Sequence, residues 1–254
     1  MKVEAGPQSV LATLPGWEHA VVRELRGGLT NRSYLLRAGA RRAVLKIDAS
    51  PRTAPFNRRE DEARLQTIAA GHGLASPVLY ANDHLFMTEY LHGEVWSGRS
   101  FASDDNLEKL AGALRRLHGL PLTGRAFDAG RAALDYAGKI AAANSEQTQA
   151  CLQVVESMPS PRQLRFCHND LVAANIIATP ELRFLDWEYA CDNDPLFDLA
   201  TVVAHHRLSS DRADLLLDHY FDGDGARWRE PLAAQQRLYD ALHWLWRAAR
   251  PLPG

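Results

Sequence analysis

Residues Arg165–Ala200 read RFCHNDLVAANIIATPELRFLDWEYACDNDPLFDLA, and this stretch decides how the rest of the chain is read. His168, Asp170 and Asn175 fall in an H-x-D-x-x-x-x-N spacing, and Asp186 follows after a short hairpin. NIIA and LRFL are two apolar-rich strands joined through Thr179-Pro180-Glu181, a turn-forming run. Pairing Ala178 with Arg183 would set Asn175 opposite Asp186, and opposed residues in a ladder point to the same face. An amide oxygen and a carboxylate at the open end of a hairpin suit Mg²⁺, which completes its shell with phosphate and water. With a loop carboxylate, Asp170, able to orient a hydroxyl, these are the parts of a phosphoryl-transfer centre. A hairpin with polar ends would account for any one of these residues. Four at this spacing favour the functional reading.

Outside this stretch, the 254 residues are enough for one large domain or two joined lobes with a substantial core. A hydrophobic content of 46% with 24% charged residues is that of a globular protein, and a net charge of −2 argues against a general polyanion binder. No basic, aromatic-interleaved stripe suggests nucleic acid. Cys151, Cys167 and Cys191 are odd in number and lack C-x-x-C spacing, which disfavours a disulfide scaffold or structural zinc and fits a reducing cytosol. The opening MKVEAGPQSVLATLPGW lacks a signal-peptide profile, and no apolar run approaches the ~20 residues that span a bilayer. The expectation is a cytoplasmic protein without membrane contact.

The periodicities predict a short helix, then strands over His19–Leu25, Ser33–Arg37 and Ala43–Ile47, a helix over Phe56–Ala70, and strands over Pro77–Tyr80 and Leu85–Tyr90. Gly27-Gly28, taken alone, reads first as a turn, though such a loop can also cover phosphates. Lys46 in AVLKID is either a strand-edge residue reaching solvent or a phosphate ligand paired with a helix carboxylate. Glu62 shares a face with Leu65 and Ala69 and is the first choice for that carboxylate, with Glu60 second. The chain leaves the sheet near Leu91-His92-Gly93, so residues 1–91 are assigned to one lobe and 92–254 to another. The backbone at Glu89 and Leu91 could meet an adenine edge, or the segment could be a plain crossover. The remainder reads as helical: Asp104–His118 with a Leu107, Leu110, Leu114, Leu117 stripe, an alanine-rich helix from about Ala132 to Met158, and segments Phe197–His206, Arg212–Tyr220 and Glu230–Ala249. His118, His205 and His206 are read as structural or surface histidines.

These pieces resemble the choline/ethanolamine kinase and aminoglycoside phosphotransferase superfamily, kinases of small molecules, over nearly the whole chain. GGLTNRSYLL (27–36), VLK (44–46), NRREDEARL (57–65), LFMTEYLHG (85–93) and LRRLHGLP (114–121) look like its successive motifs. CHNDLVAANII (167–177) and FLDWEYACDNDPLFDLA (184–200) are the most specific matches. The resemblance implies an α+β, two-lobed protein-kinase-like fold with a small N-terminal antiparallel sheet plus helix and a larger, mostly helical C-terminal lobe. It implies ATP and Mg²⁺ as cofactors. Adenine would lie against Glu89 and Leu91, and Lys46, held by Glu62, would meet the α- and β-phosphates under the amides of Gly28, Leu29, Thr30 and Asn31. Asn175 and Asp186 would hold the metal, and Asp170, with His168 in the same loop, would serve catalysis. Asp198 would brace the loop.

The implied acceptor is a small cationic alcohol of choline or ethanolamine type. Glu188 with Trp187, Tyr239, His243 and Trp246 would form an anionic, aromatic-walled pocket, although each aromatic taken singly reads first as core packing. The W-x-x-W pair common in choline kinases has His243 and Trp246 in its place, and the chain stops at Pro251-Leu252-Pro253-Gly254 without a further helix. Thiamine kinases and aminoglycoside phosphotransferases therefore remain rivals, and a catalytically silent nucleotide-binding regulator is the alternative of another class. A protein kinase fits poorly, because D-W-E replaces D-F-G and no long activation segment follows.

Overall fold

The computed structural model describes residues 6–25, 31–48, 58–141 and 145–250. By compactness the chain forms two units, Met1–Glu94 with Ile177–Tyr189, and Val95–Ile176 with Ala190–Gly254.

In the first unit, helix α1 (Pro7–Leu11) precedes strands β1 (Val21–Leu25), β2 (Asn31–Ala38) and β3 (Arg41–Asp48). Helix α2 (Arg59–Gly71) and the hairpin β4 (Val78–Ala81) and β5 (Leu85–Glu89) follow, and the two-residue strand β6 (Glu94–Val95) begins with the unit's last residue before the chain passes to the second unit. The sheet is antiparallel in the order β1-β2-β3-β5-β4. Its register explains the placement of Lys46. Tyr34 lies opposite Leu45 and Leu36 opposite Ala43, and with Leu85 and Met87 these side chains are buried against Val10, Leu11, Leu14 and Trp17. Side chains alternate along a strand, so Lys46, opposite Ser33 and Phe86, must point to the other face. Burying Leu36 and Leu45 contributes about 1.5–3 kcal/mol each, which sets that register firmly. At the β4–β5 turn the Asn82 Oδ1 accepts the amides of His84 and Leu85 at 2.9 and 2.8 Å.

Helix α2 carries Glu60, Asp61 and Glu62 in its first turn, where the helix dipole favours them. It buries Glu62, Leu65 and Ala69, the stripe the spacing predicts. The helix starts at Arg59; Phe56 and Asn57 of the expected span lie outside the described residues. Strands β8 (Ile176–Ala178) and β9 (Leu182–Phe184) are neighbours, turned by a bond from the Thr179 amide to the Glu181 carbonyl. The hairpin groups with the first unit, whereas the single boundary at 91/92 leaves it in the second. The cause is local: the Phe184 amide donates to Leu74 O at 2.7 Å, and a Cβ on Gly93 would meet Ala178 O at 2.2 Å. Glycine at 93 permits that approach.

The second unit is helical. Helix α3 (Asp104–His118), capped by Ser103, buries Leu107, Leu110, Leu114 and Leu117 completely. The expected long alanine-rich helix is two helices, α4 (Ala129–Ala137) and α5 (Glu146–Glu156). Capping overrides propensity here: Gly138 ends α4, and the Ser145 hydroxyl starts α5 by accepting the Thr148 amide. Strand β7 (Arg165–Cys167) pairs with β10 (Cys191–Asn193), setting Cys167 opposite Cys191. Helices α6 (Pro195–His205), α7 (Ser210–Tyr220) and α8 (Arg229–Ala248) complete the unit. No helix among the described residues is long and apolar enough to cross a membrane.

Candidate active site

The loop that carries Asp170 begins where β7 ends. The amides of His168 and Asn169 both donate to the Asp198 carboxylate, at 2.9 and 2.7 Å. Asn169 sits at φ 65°, a left-handed conformation that asparagine tolerates better than most residues. Its side chain is pinned on both sides, donating to Cys191 Sγ at 3.2 Å and accepting from Asn193 Nδ2 at 2.7 Å. Beyond it the chain turns. The Asn175 Nδ2 donates to both the carbonyl and the Oδ2 of Asp170, each at 2.9 Å. Asp170 and Asn175 are therefore brought together through the Asn175 amide nitrogen.

His168 corrects an expectation. Its ring is wholly buried, and its Nδ1 accepts the amide of Asp170 at 3.3 Å. From that buried position it shapes the loop. Asp198 has the bracing role expected of it, fully buried and bonded to His118 Nε2 at 3.0 Å, while the His118 Nδ1 meets the Tyr220 hydroxyl at 2.7 Å. The acidic run around it is otherwise structural: Asp192 accepts the amides of Thr123 and Gly124, and Asp194 caps α6.

In the first unit Lys46 lies 2.8 Å from Asp186 Oδ1 and 3.6 Å from Glu62 Oε1. Glu60 instead pairs with Arg58 in solvent. Burial works against the Lys46 charge, yet Asp186 and Glu62 outweigh it and hold the ammonium above its usual pKa. Arg59, which the motif reading passed over, bonds Glu62 and grips Asp48 with two hydrogen bonds of 2.8 Å. Burial likewise opposes its charge, and the two carboxylates raise its pKa regardless. Both cations lie over the Phe86 ring, at 5.8 and 5.4 Å. Two cations face three carboxylates, an excess of one negative charge. Asp186 itself adopts φ 62°, a costly conformation for a non-glycine residue and one found at functional turns.

Gly28, Leu29 and Thr30 lie outside the described residues, and Asn31 opens β2. At Glu89 the amide donates to Pro77 O and the carbonyl accepts from Ser76 Oγ, leaving one carbonyl lone pair for an outside donor. Leu91 follows on the segment that leaves β5. Trp187 corrects another expectation: it is fully buried, its indole N–H donating to Phe184 O, so it is core and not a pocket wall. Glu188, next to it, is buried as well.

On α8 the rings of Tyr239 and His243 stack with centroids 5.4 Å apart, and His243 meets Trp246 at 5.9 Å. Burial, with the Asp170 charge adding, raises the Tyr239 phenol pKa, and its hydroxyl lies 2.7 Å from His205 Nδ1. The Arg250 guanidinium covers Trp246 at 3.6 Å. The i, i+3 spacing of Arg59 and Glu62 is the local signal that could have marked Arg59. Nothing local marks His118, which reaches Asp198 from 80 residues away.

The profile of the phosphotransferase enzyme family matches residues 21–252, and the chain belongs to that family. Two LicA proteins of Haemophilus influenzae are similar to it. One is 32% identical over 80% of this chain and 63% of its own length, the other 33% identical over 76% of each. A thiamine kinase of Escherichia coli is 28% identical over 90% of this chain and 76% of its own length. The crystal structure of choline kinase LicA from Streptococcus pneumoniae has the same fold, with a TM-score of 0.79 at 22% identity over 95% of this chain and 88% of that one. A LicA structure in complex with AMP matches equally well.

Proposed function

We propose that this protein is an ATP- and Mg²⁺-dependent kinase that transfers the γ-phosphoryl group to the hydroxyl of a small cationic alcohol of the choline or ethanolamine type. One observation carries the reading: the Asp170 carboxylate is held by Asn175 inside a loop whose amides end on the buried Asp198. A carboxylate fixed in this way can take or orient a hydroxyl proton as the alcohol attacks in line. Lys46, charged and held by Glu62, would meet the α- and β-phosphates. Asn175 and Asp186 would hold Mg²⁺, which when bound neutralises charge on the phosphate oxygens. The remaining Glu89 lone pair would accept from an adenine amino group, with Leu91 alongside. Glu188 and the Tyr239–His243–Trp246 stack would recognise the acceptor's cationic group. That Arg250 covers Trp246 supports a ring that attracts cations, although the acceptor would have to displace this side chain or use the opposite face.

Similarity to a thiamine kinase over 90% of the chain favours thiamine as the second reading. The test is ADP release from Mg·ATP with choline, ethanolamine, thiamine or an aminoglycoside, measured above the rate without acceptor. Turnover with choline or ethanolamine is expected, and turnover with thiamine alone would move the assignment to the second reading. Mg·ATP binding without any acceptor-dependent turnover would favour a silent regulator. Failure to bind Mg·ATP would end the kinase reading altogether.

A further inference from the structure

Helix α6 holds the Asp170 loop at two points, and Asp198 is the first. The second is His206, the residue that closes α6 at its C-terminal end. Its Nε2 accepts the amide of Ala173 at 3.1 Å. Ala173 opens the one-turn 3₁₀ segment Ala173–Asn175, so its amide has no partner within the turn. The two anchor points are eight residues apart on the helix, about 12 Å along its axis.

We infer that His206 is a positioning residue for phosphoryl transfer: by capping the Ala173 amide it fixes the turn that aims Asn175 at Asp170. The inference rests on the kinase reading for its consequence, but not for the contact itself. The relay is short. Ala173 starts the turn, the Asn175 amide closes it onto Val172 O at 2.9 Å, and the Asn175 side chain holds Asp170. A shift at Ala173 therefore passes directly to a side chain that holds the Asp170 carboxylate.

The ring is built to stay where it is. It stacks on Phe101, with centroids 4.2 Å apart and planes at 28°, and Phe101 is itself buried. Two nitrogens of Arg212 hold the Phe101 carbonyl, at 3.2 and 2.9 Å. On the other side His205 packs against His206 and bonds the Tyr239 hydroxyl. A ring nitrogen accepts an amide only when unprotonated, so the proton of the neutral ring belongs on Nδ1. Burial, with the neighbouring His205 adding, brings the His206 pKa down to about 4, which keeps Nε2 an acceptor through the neutral range.

The experiment compares His206→Phe, which keeps a ring against Phe101 but loses the acceptor, with His206→Gln, whose amide oxygen can stand where Nε2 stood. Two quantities are read on each: hydrogen exchange of the Ala173 amide, and the rate and KM of ADP release from Mg·ATP with choline. If choline gives no increment, the slow release to water through the same loop is followed instead. Loss of Ala173 protection is expected in His206→Phe, with kcat lowered by about tenfold and KM for ATP little changed. Recovery of most of both is expected in His206→Gln. Unchanged protection of Ala173 in His206→Phe would overturn the contact, whatever the acceptor proves to be. A His206→Gln variant as impaired as His206→Phe would overturn the positioning role and leave only ring packing.

Discussion

Replacing Asp198 by asparagine tests the loop architecture with almost no change of shape. The carboxylate is fully buried and accepts three bonds: Oδ2 takes the His168 amide and His118 Nε2, and Oδ1 takes the Asn169 amide. An asparagine can be placed in two ways. With its amino group at the Oδ2 position, His118 can adapt by changing tautomer, but the His168 amide then faces an N–H donor. With the amino group at Oδ1, the Asn169 amide loses its acceptor instead. Either way one buried backbone donor goes unsatisfied, at about 1–3 kcal/mol, and the surviving bonds lose their charge assistance. The expected cost is about 2–4 kcal/mol in the second unit, read as a lower urea midpoint with an unchanged slope. Asp170 follows directly on these amides, so kcat should fall by about tenfold to a hundredfold, with KM for ATP nearly constant. A stability within about 0.5 kcal/mol of wild type together with an unchanged kcat would refute the reasoning.

Asp170→Asn should lower turnover by about 10²–10⁴-fold and leave Mg·ATP affinity nearly intact, since the carboxylate matters in the transition state. Comparable turnover in the variant would remove Asp170 from the chemistry. The Lys46 pKa is raised in the folded protein, so its stabilising charge is fully present below the unfolded value of about 10.4 and is lost as pH rises through the higher folded value. Urea midpoints measured at increasing pH should show a decline on that alkaline limb, and the Lys46→Met variant should lack this part of it. Gly93→Ala should cost about 1–3 kcal/mol, because its Cβ would lie 2.2 Å from the Ala178 carbonyl. That backbone belongs to the hairpin leading to Asp186, so a higher KM for ATP should accompany the lower melting temperature. An unperturbed variant would mean the hairpin is free to shift.

The clearest successes of the sequence are those where neighbours in the chain are neighbours in space. Glu62, Leu65 and Ala69 share a face because helical geometry puts them there, which singles out Glu62 over Glu60 before any fold is known. The leucine stripe of α3 and the cap at Asp194 are legible for the same reason. Where two local signals compete the reading fails: alanine propensity suggests one helix where Gly138 and Ser145 make two. Trp187 shows a different failure. Its place three residues after β9 and beside Glu188 suggests a pocket wall, yet the Phe184 carbonyl and the surrounding core take the ring completely.

By itself, then, the sequence determined the strand-rich first part and the helical remainder, the loop that presents Asp170 and Asn175, and the family of folds in which such a loop occurs. The tertiary structure alone decided what holds those residues still. Lys46 meets Asp186 across 140 positions, His118 meets Tyr220 across 102, and His206 reaches Ala173 from the far end of a helix. A hydrogen bond is decided within a few tenths of an ångström and a few tens of degrees. Periodicity and spacing carry that information along a helix or strand, and they lose it once the chain turns and packs on a distant part of itself.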